Sequence, residues 1–184
     1  DSQSGSAATP QQWTPASPEQ FIRDVWPHAK RAAGSLGVQP EALVAQAALE
    51  TGWGKHMIKA HDGASSFNMF GIKADSRWQG DRTASETLEF RDGLVRKERA
   101  QFRVYGSLKD SFNDYAEFLQ RNPRYQDALT NTADTPAFTR SLKEAGYATD
   151  PAYSEKINNI MNSERVRATV AEIKASAPEP LNQV

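Results

Sequence analysis

Phe21, Ile22, Val25, Trp26, Ala29, Ala33 and Leu36 recur three or four residues apart, with Arg23, Lys30 and Arg31 between them. That spacing predicts an amphipathic helix with one face in a core. Ser17-Pro18-Glu19-Gln20 supplies its start: a hydroxyl N-cap, proline at the first helical position and Gln at the third, the pattern of a capping box. Pro27 is expected to kink it. A second helix is predicted from Pro40 to about Thr51, ended by Gly52 and Gly54. This one has almost no polar side, because Ala42, Leu43, Val44, Ala45, Ala47, Ala48 and Leu49 surround it, so it belongs inside a helical lobe.

From Arg82 the pattern changes to alternation. Thr83, Ser85, Thr87 and Glu89 fall on one face, and Ala84, Glu86, Leu88 and Phe90 on the other. Asp92-Gly93 is a hairpin turn, and Val95 to Tyr105 is the predicted return strand, with Phe102 and Val104 toward the core. Helical spacing then resumes over Leu108 to Gln120, Pro123 to Leu129, Pro136 to Ala145 with Gly146 as a stop, Pro151 to about Met161, and more weakly Val166 to Ala175. The expected fold is α+β and mostly helical, a small β-hairpin lobe facing a helical lobe across a cleft. Residues 1–17 read as a flexible interdomain linker of Ser, Gln, Ala, Thr and Pro, 18–163 as the folded domain, and 164–184 as a weak helix and tail.

Composition narrows the chemistry. With 22 basic and 23 acidic residues the net charge is −1, so no basic field suits nucleic acid. No apolar run approaches the ~20 residues of a membrane span, and no membrane insertion is expected. The chain begins at Asp1 without a charged-then-apolar leader. There is no cysteine, hence no disulfide or thiolate nucleophile. His28, His56 and His61 do not share a helix face, and neither a G-x-S-x-G elbow nor a Gly-rich phosphate loop is present. No metal and no cofactor is implied.

What remains is a carboxylate in the wrong company. Glu50 and Gln46 alone interrupt the apolar coat of the second helix, four residues apart on one stripe. Desolvation and the negative end of the helix both disfavour a charged Glu50, so its pKa should be raised. A carboxylic acid still protonated near neutral pH is what protonates the leaving oxygen of a glycosidic bond. The alternative is a structural Glu held by backbone amides or by an arginine such as Arg77 or Arg103. Glycoside hydrolysis also uses a second carboxylate, and the hairpin offers Glu86, Glu89 and Glu98. If the Leu88 and Phe90 face packs on the lobe, Glu89 points to the wet side and Glu86 does not; a one-residue register slip reverses that choice.

The stretches "ALETGWGK", "SSFNMFGIKA", "FRVYGSLKDSFNDYAEFLQRNPRY" and "AGYATDPAYSEKI", in this order from Phe21 to Met161, closely resemble the bacterial glucosaminidases of glycoside hydrolase family 73, in particular its flagellar rod-associated peptidoglycan hydrolases. The resemblance implies a lysozyme-like fold and cleavage of the peptidoglycan glycan strand between N-acetylglucosamine and N-acetylmuramic acid. It implies Glu50 as general acid, Glu89 as the second acidic residue, and Tyr147 of "GYATDP" as a group positioning substrate or water. Where the family reads Asn-Asn-Leu-Phe-Gly, this chain has Phe67-Asn68-Met69-Phe70-Gly71. Asn68, donor and acceptor at once, suits a sugar acetamido group, with Phe67 beside it. Trp53, Trp78 and Tyr115 are further candidates, for stacking on sugar rings. The partners so implied are peptidoglycan glycan strands and flagellar rod proteins, in the periplasm, reached by flagellar export rather than a cleaved signal peptide. A muramidase, a lytic transglycosylase and a non-catalytic peptidoglycan-binding scaffold are the alternatives.

Overall fold

Helix formation begins at the cap. In the computed structural model, which describes residues 11–176, α1 spans Pro18–Leu36, with Ser17 Oγ accepting from Gln20 N at 3.0 Å. The Gln20 amide reaches forward to Asp24 at 2.7 Å instead of back to Ser17, so only half of the capping box forms. Pro27 does not interrupt the helix and lies on its exposed side. α2 spans Pro40–Thr51 and is buried from Ala42 through Ala48. Gly52, with φ of 56°, closes it by donating its N–H to Ala48 O.

The chain continues with β1 (Arg82–Arg91), β2 (Leu94–Arg103), α3 (Leu108–Arg121), two short 3-10 turns (Pro123–Tyr125 and Ala128–Thr130), α4 (Thr135–Glu144), α5 (Tyr153–Met161) and α6 (Glu164–Ser176). The short helix expected over Pro123 to Leu129 is thus two 3-10 turns. α1 packs against α2, α3 and α6, and α5 against α2 and α4. The core between them holds Phe21, Phe70, Phe112, Tyr115 and Leu119, with the Phe70 and Tyr115 rings stacked at 3.9 Å. The architecture is α+β and mostly helical. None of the described helices is long and apolar enough to cross a membrane.

β1 and β2 pair antiparallel around Asp92 (φ 53°) and Gly93 (φ 77°), the two positive-φ residues that a tight hairpin turn requires. The return strand ends at Arg103, two residues short of the expected Tyr105. Its root is tied down: Arg103 N donates to Ile72 O at 3.1 Å and Ala74 N to Gln101 O at 2.9 Å. The expectation for the faces is reversed. Leu88 is 62% exposed, whereas Thr83 is buried and the Glu89 side chain is only 12% exposed. The hairpin overhangs a polar cleft rather than the core, so its hydroxyl and carboxylate face turns inward and its apolar face outward. Glu89 still parts from Glu86, but on the inner side.

Residues 1–10 and 177–184, the outer parts of the expected linker and tail, lie outside the described residues. Residues 11–17 lie against the helical lobe: the Trp13 ring packs 5.6 Å from Phe21 and its Nε1 donates to Asp24 at 3.0 Å. At the other end, Val166 and Val170 of α6 are buried in the main core. Val166→Ala should therefore cost on the order of 2 kcal/mol, the transfer of two methyl-sized groups plus a cavity. Urea unfolding would measure it; a change near zero would show α6 to be dispensable.

Candidate active site

Between hairpin and helical lobe runs an open cleft of about 740 Å³, lined by Glu50 and Leu49 from α2, by Phe70 to Lys73, by Thr87 to Arg91 of β1 and by Gly146 to Asp150. Glu50 sits on its floor. Water reaches the carboxyl through the cleft, while protein closes around it on the other sides. Gly71 makes this placement possible: a Cβ there would stand 2.9 Å from Glu50 Cδ and closer still to Oε1, and its φ of 64° suits glycine in any case.

The Glu50 carboxyl has neither a hydrogen-bond nor an ion-pair partner among the described residues. The arginines that would neutralise it are engaged elsewhere. Arg103 is bound to Asp114 at 2.9 Å, with Trp78 and Phe118 against its guanidinium, and Arg77 is bound to Asp75 at 3.0 Å. Desolvation, and after it the charge of Glu89, push the Glu50 pKa up to about 7.

Glu89 enters the cleft from β1. Its Oε2 accepts from Thr149 Oγ1 at 2.7 Å, and its Oε1 faces Lys73 Nζ and Thr87 Oγ1, each at 3.5 Å. Tyr147 lines the same cleft and donates its hydroxyl to Phe70 O at 2.6 Å, next to Gly71. Burial keeps its phenol protonated far above the usual range. Glu50, Glu89 and Tyr147 therefore converge on one space. Glu86 does not line the cleft; it lies on the exposed outer face, opposite Arg99. Glu98 is held by Arg91 at 3.1 Å.

The other expected substrate contacts are turned away from the cleft. Asn68 is buried with its amide committed to the backbone, Nδ2 to Ile72 O and Arg103 O at 2.9 Å each and Oδ1 to Ile72 N at 3.0 Å. It braces the loop that carries Gly71 and has nothing left for a sugar. Phe67 is buried in that loop at φ of 51°. Tyr115 is fully buried and donates to Gln46 Oε1 at 2.8 Å. Trp53 packs edge-on against Phe21 at 5.7 Å, and Trp78 against Tyr105 at 5.5 Å. Phe67 and Tyr115 fill the core and Trp53 packs at its edge, whereas Trp78 stays partly exposed. Two cleft residues escaped notice in the sequence, Thr149 and Tyr153, although both lie in the "GYATDPAY" run that yielded Tyr147. Among the described residues no group of three His, Cys, Asp or Glu is placed to hold a metal ion.

The raised pKa has a sign. Below the unfolded value, near 4.5, Glu50 is protonated in both states; as pH rises toward about 7 the unfolded chain ionises first, so stability is progressively lost. Glu50→Gln should therefore raise Tm at pH 8 and leave it nearly unchanged at pH 4, as thermal melts at the two pH values would show. Glu89→Gln should lower the Glu50 pKa part of the way from 7 toward 4.5, because desolvation, the larger cause, stays in place. A carbon-13 titration of the carboxyl reads this directly; an unmoved value would place Glu89 out of electrostatic reach.

The chain is similar to several known proteins. A family model described as mannosyl-glycoprotein endo-beta-N-acetylglucosaminidase matches residues 26–165. The peptidoglycan hydrolase FlgJ of Vibrio parahaemolyticus is 51% identical over 147 residues, 78% of this chain and 47% of that protein. The chain spans less than half the length of the first curated relatives it matches. Among solved structures, a mutant peptidoglycan hydrolase from Sphingomonas sp. A1 matches with a TM-score of 0.78 at 42% identity, over 84% of this chain and 99% of that one. A C-terminally truncated glycoside hydrolase domain of Salmonella typhimurium FlgJ matches at 0.63 and 36% identity, over 88% and 100%.

Proposed function

The chain belongs to the glucosaminidase family and is a glycoside hydrolase of lysozyme-like fold, and from that premise we propose that it cleaves the glycan strand of peptidoglycan at the β-1,4 linkage between N-acetylglucosamine and N-acetylmuramic acid. The observation that carries the reading is the Glu50 carboxyl, open to the cleft and unpaired among the described residues, with its pKa pushed up to about 7. Glu50 donates that proton to the glycosidic oxygen as the bond to the anomeric carbon breaks. Glu89, across the cleft, activates water or stabilises the positive charge that develops on the sugar. Tyr147 donates its hydroxyl hydrogen bond to Phe70 O, which leaves its oxygen lone pairs for a substrate hydroxyl, an amide N–H or the attacking water.

The cleft is open and carries polar groups on both walls, as a polysaccharide site requires. The names of the relatives support peptidoglycan as the polymer. Together with the resemblance of the motifs to flagellar rod-associated hydrolases, they support a role in opening the periplasmic cell wall to the growing flagellar rod, with rod proteins as partners and flagellar export as the route.

Turnover of purified sacculi tests the chemistry. Glu50→Gln should fold normally and lose about 10²-fold or more in rate, the scale of a lost general acid. An unchanged rate would end this mechanism, and sedimentation with sacculi without released fragments by the native protein would make the domain a binding module. Mass spectrometry of the fragments decides the bond: new reducing ends on N-acetylglucosamine are expected, those on N-acetylmuramic acid mean a muramidase, and anhydro ends a lytic transglycosylase.

A further inference from the structure

Thr149, two residues after Tyr147 in the loop between α4 and α5, reaches across the cleft to β1. Its Oγ1 donates to Glu89 Oε2 at 2.7 Å and accepts from Phe90 N at 3.0 Å. Both directions are forced. An amide N–H only donates and a carboxylate only accepts, so the two neighbours fix the hydroxyl in a single orientation. The other partners of Glu89 stand at 3.5 Å, which makes the Thr149 bond its one short contact among the described residues.

The hairpin has need of such a contact. It is two-stranded, anchored at its root through Ile72 and Ala74, and its outer half carries Leu88, Leu94 and Val95 in solvent at 62, 60 and 56% exposure. A two-stranded ribbon on its own is marginally stable. Glu89 lies two residues from the turn end of β1, where the anchoring at the root holds it least.

We infer that Thr149 is a positioning residue for the reaction, clamping the hairpin to the helical lobe and aiming the Glu89 carboxylate at the sugar held over Glu50. This rests on the role proposed above for Glu89. The clamp orients the carboxylate without taking part in proton transfer, and it also covers an otherwise unpaired N–H on the free edge of β1. Displacing a reacting group by about 1 Å costs roughly 10²-fold in rate, so the loss of one hydroxyl should be visible in turnover.

The test compares Thr149→Val, which keeps shape and removes the hydroxyl, with Thr149→Ser, which keeps the hydroxyl, on soluble peptidoglycan fragments. Thr149→Val should lose about 10 to 100-fold in kcat with KM nearly unchanged, and Thr149→Ser should recover most of it. Thr149→Ala replaces the valine variant if that one does not fold. In a Glu89→Gln background the penalty of Thr149→Val should vanish, because a clamp with nothing to aim has no effect. Native kcat for Thr149→Val, equal losses for valine and serine, or an undiminished penalty beside Glu89→Gln would each overturn the clamp. Glu89→Gln at the native rate would instead overturn the role of Glu89 itself, whereas an inactive Glu89→Gln with an unimpaired Thr149→Val rejects Thr149 alone.

Discussion

A carboxyl group that must stay uncharged near neutral pH can tolerate no good partner, and the surroundings of Glu50 obey that constraint. An arginine or a pair of backbone amides in contact with it would hold the proton off. The guanidinium of Arg103 is instead buried against Asp114, Trp78 and Phe118, and Asp75 takes Arg77. Where a side chain would have crowded the carboxyl, residue 71 has none. The like charge of Glu89 then adds to the effect of burial. A site arranged for stability would have given this carboxyl a partner, because a desolvated charge is ordinarily paired.

The same constraint explains why the second carboxylate comes from a hairpin. A carboxylate that works beside this acid needs hydrogen-bond donors, which the aliphatic surface of α2 does not offer. β1 brings Glu89 in from outside, where Lys73, Thr87 and Thr149 supply donors. The cost appears on the opposite face of the ribbon, where Leu88 and Val95 are left in water because nothing packs above them. Two carboxyl groups facing one space thus sit in environments of opposite character, Glu50 without a partner among the described residues and Glu89 among three donors.

Local rules made much of this visible in the sequence. The caps at Ser17 and Gly52, the Asp-Gly turn and the apolar period of α1 and α3 act over a few residues, and the elements they specify are present within a residue or two. Glu50 stood out for the same reason, as a carboxylate on an otherwise apolar helix. Facts that depend on which surface faces which were hidden. The inner face of the hairpin could not be told from alternation, since both faces alternate equally well and only the cleft decides between them. Asn68 looked like a ligand donor because its neighbours did not reveal that the Ile72 and Arg103 carbonyls would claim it. Tyr115 and Trp53 looked like sugar platforms because an aromatic side chain carries no mark that separates core from cleft. Thr149 was invisible because its partners lie about sixty residues away.

Gln46 shows how the apolar helix acquires a definite orientation. α2 is coated with small aliphatic side chains that fit a core at many rotations, so packing alone specifies its azimuth weakly. One buried amide on the Glu50 stripe removes the ambiguity. Gln46 accepts from Tyr115 on α3 and donates to Tyr153 on α5, each at 2.8 Å. Only one rotation of α2 satisfies both, since any other strands a buried amide and two phenols without partners. One turn further on, that rotation carries Glu50 onto the cleft floor. Tyr153 also lines the cleft, its hydroxyl has no acceptor among the described residues, and burial keeps that phenol protonated well above its ordinary range. A polar residue in the helical lobe thus fixes the direction of an acid whose own surroundings must offer it nothing to hold.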